Sequence, residues 1–522
     1  MTLTSVPFLL FAALLLLVYY TVPGRVQWMV LLVASYGFYL SNGLHLLGFI
    51  AFTTLTVYGS ARYMAGLYRQ QDAYLSKHKG ELSREQRKAC KQGVKRRCRK
   101  VLAVCLGLNF LLLALCKFLL VEPFRSAAEG TGLSFLTVAL PLGISFYLFQ
   151  ATGYLVDVYR RTVEPERSLF RFALFVSFFP QLIQGPISKF SVLQPQFFAP
   201  HKYNRRMLQF GLQRMLWGYF KKLVLADRMA VAVAALRGTD CTGAGFCLLS
   251  LFYAVQIYCD FTGGMDLVIG LGECLGVKLP ENFIRPYFSK NTAEYWRRWH
   301  ITLGEWMKDY IFYPVSVSQP MLRLAKYTRS RFGHLGKRLP VYLASALTWS
   351  VTGLWHGVTP NFLLWGLMNC LVIVISQELE PVYARVHGKF HLNEKPWYDG
   401  FQILRMFLLM NLIRVCDLFP HVEDYFRGLW TMFTLQNLRV LWDGTLLSLG
   451  LTGLDYIVLG LGILLMFSVS LWQEKHGSVR EYLCRQPRFL RYGLWYGLFL
   501  AVLLMGRYGV GYEPSNFIYS QF

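Results

Sequence analysis

Charge is what this sequence has least of. Asp, Glu, Lys and Arg make up 16% of its 522 residues, against about 25% in soluble domains. Apolar residues reach 54% and the mean hydropathy is +0.36. That balance excludes a solvated globular fold and points to one integral membrane domain. Acids are scarcer still, 29 against 54 basic residues, for a net charge of +25. The chain has no Cys-x-x-Cys pair and no histidine cluster, so no metal site is expected. Its eleven cysteines are scattered; Cys105, Cys116 and Cys370 stand in apolar runs as small hydrophobes, and Cys241 and Cys247 are close enough to bridge if exterior. Neither a P-loop nor a dinucleotide fingerprint is present, and no resident cofactor is expected.

What is abundant is apolar runs that approach the roughly 17–25 residues a bilayer asks of a helix. They include Leu3–Tyr20, Val26–Tyr39, Leu46–Tyr58, Val101–Val121, Phe170–Ile183, Ala344–Trp355, Phe362–Ser376, Ile403–Ile413, Ile457–Trp472 and Tyr492–Met505. They predict an all-α, polytopic integral membrane protein of about ten to twelve transmembrane helices with further re-entrant or interfacial helices. The first run has neither a basic leader nor a small-residue cleavage site and reads as a retained helix.

Charge bias sets the orientation. Between Arg62 and Lys100 thirteen Lys and Arg face three acids, so this loop is expected to stay cytoplasmic, where it also meets anionic lipid. The chain divides on this reading into N-terminal spans (1–61), a basic cytoplasmic loop (62–100), a central core (101–377) and C-terminal spans and loops (378–522).

From Leu339 to Gln377 there is no Asp, Glu, Lys or Arg, and the stretch carries one histidine, His356. A titratable group in lipid is costly, so it is expected to face a protein interior, a cavity or a substrate path. Imidazole is also the side chain best suited to take and return a proton near neutral pH. A buried histidine with a purely structural hydrogen bond is the alternative.

The segment Pro280–Tyr313 is too charged to span lipid exposed and too aromatic for a solvated loop. Asn291-Thr292 with Glu294 marks a helix start; on one continuous helix from there Tyr295, Trp299 and Trp306 fall near one face, beside Arg297, Arg298 and His300. Guanidinium forks suit phosphate, so Arg297, Arg298, Trp296 and Trp299 are candidates for binding a phosphate-bearing thioester donor. An interfacial aromatic belt with positive-inside arginines is the bland alternative. Upstream, Asp260 and Asp266 sit in a hydrophobic stretch, where a carboxylate needs a partner. Asp260 or Asp266 is expected to pair with an arginine or orient a histidine, with a structural ion pair the simpler role for each.

Five motifs then stand in order: Pro141-Leu142-Gly143-Ile144-Ser145-Phe146 running on to Asp157; Phe179-Pro180-Gln181-Leu182-Ile183-Gln184-Gly185-Pro186; Asp260-Phe261 with Pro280-Glu281-Asn282-Phe283; Glu294-Tyr295-Trp296-Arg297-Arg298-Trp299-His300; and Trp355-His356-Gly357. Together they resemble the membrane-bound O-acyltransferase family, in particular its bacterial branch acting on cell-surface polymers. Thr262, Gly263 and Gly264 depart modestly from that branch's usual wording, and the match weakens over 316–338 and after about residue 378. The resemblance implies that His356 is the catalytic histidine and His300 the family's second characteristic histidine, with Asp260, Asp266 and Asn282 in support. It implies a multi-pass protein of the cell membrane that moves an acyl group, acetyl by expectation, from a cytoplasmic thioester such as acetyl-CoA to O-acylate a surface polymer. D-alanyl transfer to teichoic acid is the alternative within the family. An exterior esterase-like acyltransferase and the polymer are the implied partners; nucleic acid is not. The basic group His334, Lys337 and Arg338, if cytoplasmic, places His356 towards the exterior and the His300 segment inside. A polytopic transporter or flippase is the competing class. The absence of an internal repeat speaks against it.

Overall fold

Apolar runs of this length, whose backbone polar groups have no water to bond, satisfy those groups within themselves as helices. The computed structural model obeys that rule. It describes every residue except 129, 133, 135–139, 239–241, 435, 509–516 and 518–522, so Cys241 and any bridge it makes lie outside the described residues. All of the named elements are helical, and among the described residues the β-type pairing is a single isolated bridge, Phe283 to Trp299.

Two compact units divide the chain. The first comprises residues 1–208 with 272–279. It contains α1 (Val6–Thr21), α2 (Gln27–Leu40), α3 (Leu47–Lys77), α4 (Arg84–Phe118), α5 (Ile144–Arg160), α6 (Leu169–Ser177) and α7 (Phe179–Gln184). Buried polar side chains tie it together: Gln27 donates to the Tyr19 and His201 carbonyls at 3.0 and 2.8 Å, and Ser35 Oγ accepts from Phe179 N at 3.2 Å. Two of the five motifs form a contact here. Gly143 adopts φ +68°, and a Cβ there would lie 2.1 Å from the Leu182 carbonyl oxygen.

The basic stretch expected as a loop is mostly helix. α3 and α4 both run past their apolar portions into it, and Ser83 starts α4 through a capping box with Gln86. The turn between them spans residues 78–83. A cysteine introduced at Lys79 is expected to resist a membrane-impermeant thiol reagent in intact cells and to react after permeabilisation. Labelling in intact cells would reverse the orientation.

The second unit holds residues 209–271 and 280–520. Its main elements are α8 (Arg205–Tyr219), continued by a π-helical turn at Phe220–Ala226, α9 (Ala244–Cys274), α10 (Thr292–Arg298), α11 (Ile301–Met307), α12 (Gln319–His356), α13 (Pro360–Glu378), α14 (Pro396–Arg414), α15 (Gly453–His476) and α16 (Arg488–Met505). A buried core of Phe220, Leu225, Phe246, Ile257, Phe261, Trp299 and Met410, among others, fills it.

Six described helices are long and apolar enough to cross a membrane, namely α3, α4, α9, α13, α15 and α16, and α1 and α2 are shorter apolar helices. The difference from the expected ten to twelve has local causes. Phe170–Ile183 is not one helix but two, parted at Phe178. Ala344–Trp355 is the last part of α12, which is broken at Gly333 (φ 54°, ψ −119°) and carries the charged stretch 323–338. Ile403–Ile413 belongs to α14, a helix that also carries Asp399, Arg405 and Arg414.

Candidate active site

The segment Pro280–Tyr313 folds into short pieces, none of them a span. Asn291 Oδ1 accepts from Glu294 N at 2.9 Å and starts α10 where the sequence marks it. The single helix expected through Trp306 does not form. Trp299 is extended, His300 takes φ +47°, and α11 begins anew at Ile301. Asn282 explains the break. Its backbone carbonyl accepts from Ile301 N at 3.0 Å, and its Oδ1 accepts from Thr302 N at 3.0 Å and Thr302 Oγ1 at 2.9 Å. Two backbone donors that a continuing helix would satisfy internally, together with the Thr302 hydroxyl, are met from outside it. A non-glycine residue in the left-handed region costs about 1–3 kcal/mol and persists only where the surroundings over-determine it. Here that residue is His300, whose Nδ1 also lies 3.3 Å from Asn282 Oδ1.

The break turns His300 into a cavity of about 540 Å³ within the second unit, which His356 and Arg414 also line. All three side chains are buried. Aromatic rings join them in a circuit. Trp355 lies 6.2 Å from the His300 ring and 4.9 Å from the His356 ring. Trp365 stands 4.9 Å from His356 and 4.9 Å from the Arg414 guanidinium, which also covers Trp299 at 5.1 Å. Phe261 closes the ring, 6.4 Å from Trp299 and 4.9 Å from His300. Arg414 Nη1 reaches Asp417 Oδ2 at 3.3 Å. His300 lies outside the six candidate spans; burial, with the Arg414 charge second, lowers its imidazole to about 3. It is therefore neutral at physiological pH, a hydrogen-bonding group and not a cation.

His356 is the last residue of α12, and its position depends on how closely α12 approaches α13. A Cβ on Gly353 would lie 2.4 Å from the Phe362 carbonyl oxygen, and one on Gly366 would lie 2.3 Å from that of Trp349. The backbones touch there, as small residues allow between membrane helices.

The structure separates the remaining candidates. Trp296, Arg297 and Trp299 line the cavity with His300, and Lys308 joins them. Arg298 is instead tied to Glu294 at 2.7 Å and Glu474 at 2.9 Å. Asp260 pairs with Lys222 at 2.6 Å, and Lys222 with Asp227 at 2.9 Å. Asp266 meets Lys221 at 2.6 Å and Arg214 at 2.9 Å. An arginine or histidine was expected for one of the two acids, and Arg214 on Asp266 meets that expectation; the adjacent lysines of the π-helical turn, Lys221 and Lys222, were not expected. No group of three or more His, Cys, Asp or Glu among the described residues could hold a metal ion.

Arg414 and Trp365 were missed by the sequence reading. A signal was present: Arg414 and Asp417 close the apolar run at Ile413, the same anomaly of charge beside apolar sequence that marked His356.

Comparison with known proteins adds a family. The model of MBOAT, the membrane-bound O-acyltransferase family, matches residues 163–418, a range that contains both histidines, Arg297 and Arg414. The chain is 32% identical over 326 residues to a probable alginate O-acetylase of Pseudomonas syringae (61% of this chain, 54% of the relative). It is 34% identical over 376 residues to one of Azotobacter vinelandii (71% and 67%). To the peptidoglycan O-acetyltransferase of Helicobacter pylori it is 33% identical over 333 residues (58% and 56%). The chain thus spans about half to two thirds of the length of the curated relatives it matches.

Proposed function

The chain belongs to the membrane-bound O-acyltransferase family, and from that premise we propose that it takes an acetyl group from a thioester donor for O-acylation of a cell-surface polymer. The observation that carries this reading is convergence: the buried side chains of His300, His356 and Arg414, spread over more than a hundred residues of chain, line one cavity. Relatives named for alginate or peptidoglycan O-acetylation are 32–34% identical and those named teichoic acid D-alanyltransferases 24–26%, which favours acetyl over D-alanyl transfer and a polymer as the final acceptor.

In this mechanism His356 takes the proton of the attacking hydroxyl, a poor nucleophile without a base. The new C–O bond forms, the C–S bond breaks, and the leaving thiolate receives the proton from His356. Arg414 supplies the fixed positive charge. Its guanidinium is packed against two indoles and shielded from water, and such a preorganised cation favours the negative charge that develops on the carbonyl oxygen. His300, neutral and held by Asn282, positions the reacting groups. Asp260 and Asp266, bound to lysines and Arg214, hold α8, the π-helical turn and α9 together and so support the cavity from outside. The acyl group passes to an exterior acceptor or an esterase-like partner, and no resident cofactor takes part.

The test is thioester turnover. Purified protein in lipid vesicles, given acetyl-CoA and polymer, is expected to release free thiol and acetylate the acceptor. A transporter or flippase consumes no thioester, and a D-alanyl transferase leaves acetyl-CoA intact, so no turnover defeats the acetyl reading.

Arg297, exposed at the cavity rim, is the candidate donor contact, because a guanidinium grips phosphate as a bidentate fork. Arg297→Ala is expected to weaken donor binding by about 1–3 kcal/mol, read as a raised apparent KM for acetyl-CoA with kcat nearly unchanged. Arg298→Ala breaks the bridges to Glu294 and Glu474 and is expected to lower thermal stability with less effect on KM. Equal KM values for both variants and the unmodified protein would remove Arg297 from the donor site.

A further inference from the structure

A second and larger cavity, of about 880 Å³, lies within the second unit among α8, α9, α15 and α16, and none of His300, His356 and Arg414 lines it. Its wall changes character along its length. On α15 the lining passes from Leu465 and Met466 in mid-helix to Gln473 in the last turn, and the next turn of chain adds Arg480. Arg480 Nη1 donates to the Phe210 carbonyl at 2.8 Å, which sets it beside the end of α8 that bears Gln213 and Arg214. Arg285, bonded to Glu474 at 2.5 Å, is at the same level. At the other end Cys259 Sγ meets Met466 Sδ at 3.6 Å, and Leu498 and Ala501 of α16 complete an apolar wall.

The charged end carries one more cation than acid: Arg214, Lys221, Arg285 and Arg480 stand against Asp266, Glu281 and the Glu474 that bonds Arg285. Gln213, more than nine-tenths buried, lines it too, and its side-chain carbonyl oxygen has no protein partner. The side chain is thus poised for a ligand's hydroxyl, or, with the amide turned, for an anionic oxygen.

Two facts identify the solvent outside. None of the apolar window of α16 is buried in the protein, so that helix faces lipid. Between Lys475 and Arg491 five Lys and Arg oppose one acid, Glu481, a bias that places this turn on the cytoplasmic side against anionic headgroups. We propose that the cavity binds an anionic phospholipid of the cytoplasmic leaflet, its phosphate at Arg480, Gln473 and Gln213 and one acyl chain along Met466, Leu498 and Ala501. The site is separate from the histidine cavity and does not depend on the acyl-transfer reading.

The test uses the full chain in nanodiscs of phosphatidylcholine with a trace of phosphatidylglycerol bearing a photoreactive acyl chain. Cross-links are expected on α15 and α16 near Met466 and Leu498, with unlabelled phosphatidylglycerol competing. Charge reversal by Arg480→Glu changes the charge by two and is expected to cut labelling about thirtyfold, at about 1 kcal/mol per charge near the surface and 1.4 kcal/mol per factor of ten. Leu498→Trp, which fills the apolar end without touching charge, should cut it as well. Variants count only when they remain monodisperse, and either one suffices. Equal labelling by a phosphatidylcholine probe would overturn the proposal, as would labelling unmoved by either variant. Displacement by inorganic phosphate or by acetyl-CoA at millimolar concentration would also overturn it, the first showing a simple anion site and the second a donor site. Thioester turnover measured on the same samples keeps the two readings apart, because absence of labelling on the unmodified protein with turnover intact sinks only the lipid proposal.

Discussion

His356→Ala is expected to leave the protein folded in the membrane and to lower acyl transfer by about 10²–10⁴, the usual contribution of a positioned general base. The site sets the size of the effect. The side chain lines the cavity at the end of α12, so its loss removes the base and leaves the helix in place. The structural cost includes the ring contacts with Trp355 and Trp365, at about 0.5–1.5 kcal/mol for such a pair. Thiol release from acetyl-CoA by purified protein, beside a thermal unfolding curve, checks both halves. His356→Gln keeps a polar side chain and removes the base, and is expected to be as inactive as the alanine variant. Near-normal turnover in either would return His356 to a structural role.

Gly353→Ala is expected to damage the same reaction from outside the cavity. The added methyl carbon would stand 2.4 Å from the Phe362 carbonyl oxygen and close to the Phe362 and Leu363 backbone. Those atoms belong to α13 and cannot swing away as a side chain can. The two helices must part, at about 1–3 kcal/mol for overpacking. Because His356 is three residues further on, the same shift moves the base; a displacement of about 1 Å can cost roughly 10² in rate. A lowered unfolding temperature together with a fall in kcat is the expected result. Unchanged stability and turnover would show that α12 and α13 do not need this approach.

The histidines and the membrane class were legible because each is a departure from a local expectation. A lone histidine in 39 residues without Asp, Glu, Lys or Arg needs no tertiary knowledge to be noticed. The helix start at Asn291 was legible for a similar reason, since a cap acts over three residues. The break at His300 was not. A helix from Thr292 through Trp306 satisfies periodicity, and the chain turns aside at His300 only because Asn282 arrives from elsewhere to take the donors of Ile301 and Thr302. The acids were legible as needing partners, but their partners Lys221 and Lys222 stand about 40 residues upstream, on a turn whose π-helical geometry periodicity does not reveal.

Composition, apolar runs and charge determined that this is an all-helical membrane protein, that its acids need partners and that His356 stands out, because burial cost and hydrophobic period act along the chain; His300 was singled out by the family motifs. Only the tertiary structure decided that the two histidines share one cavity, that Arg414 completes it and that Arg298 is tied to Glu474. Those facts depend on contacts between residues far apart in sequence. No local preference encodes them; they are set by which helices approach closely enough, as α12 and α13 do at Gly353 and Gly366, to bring distant side chains together.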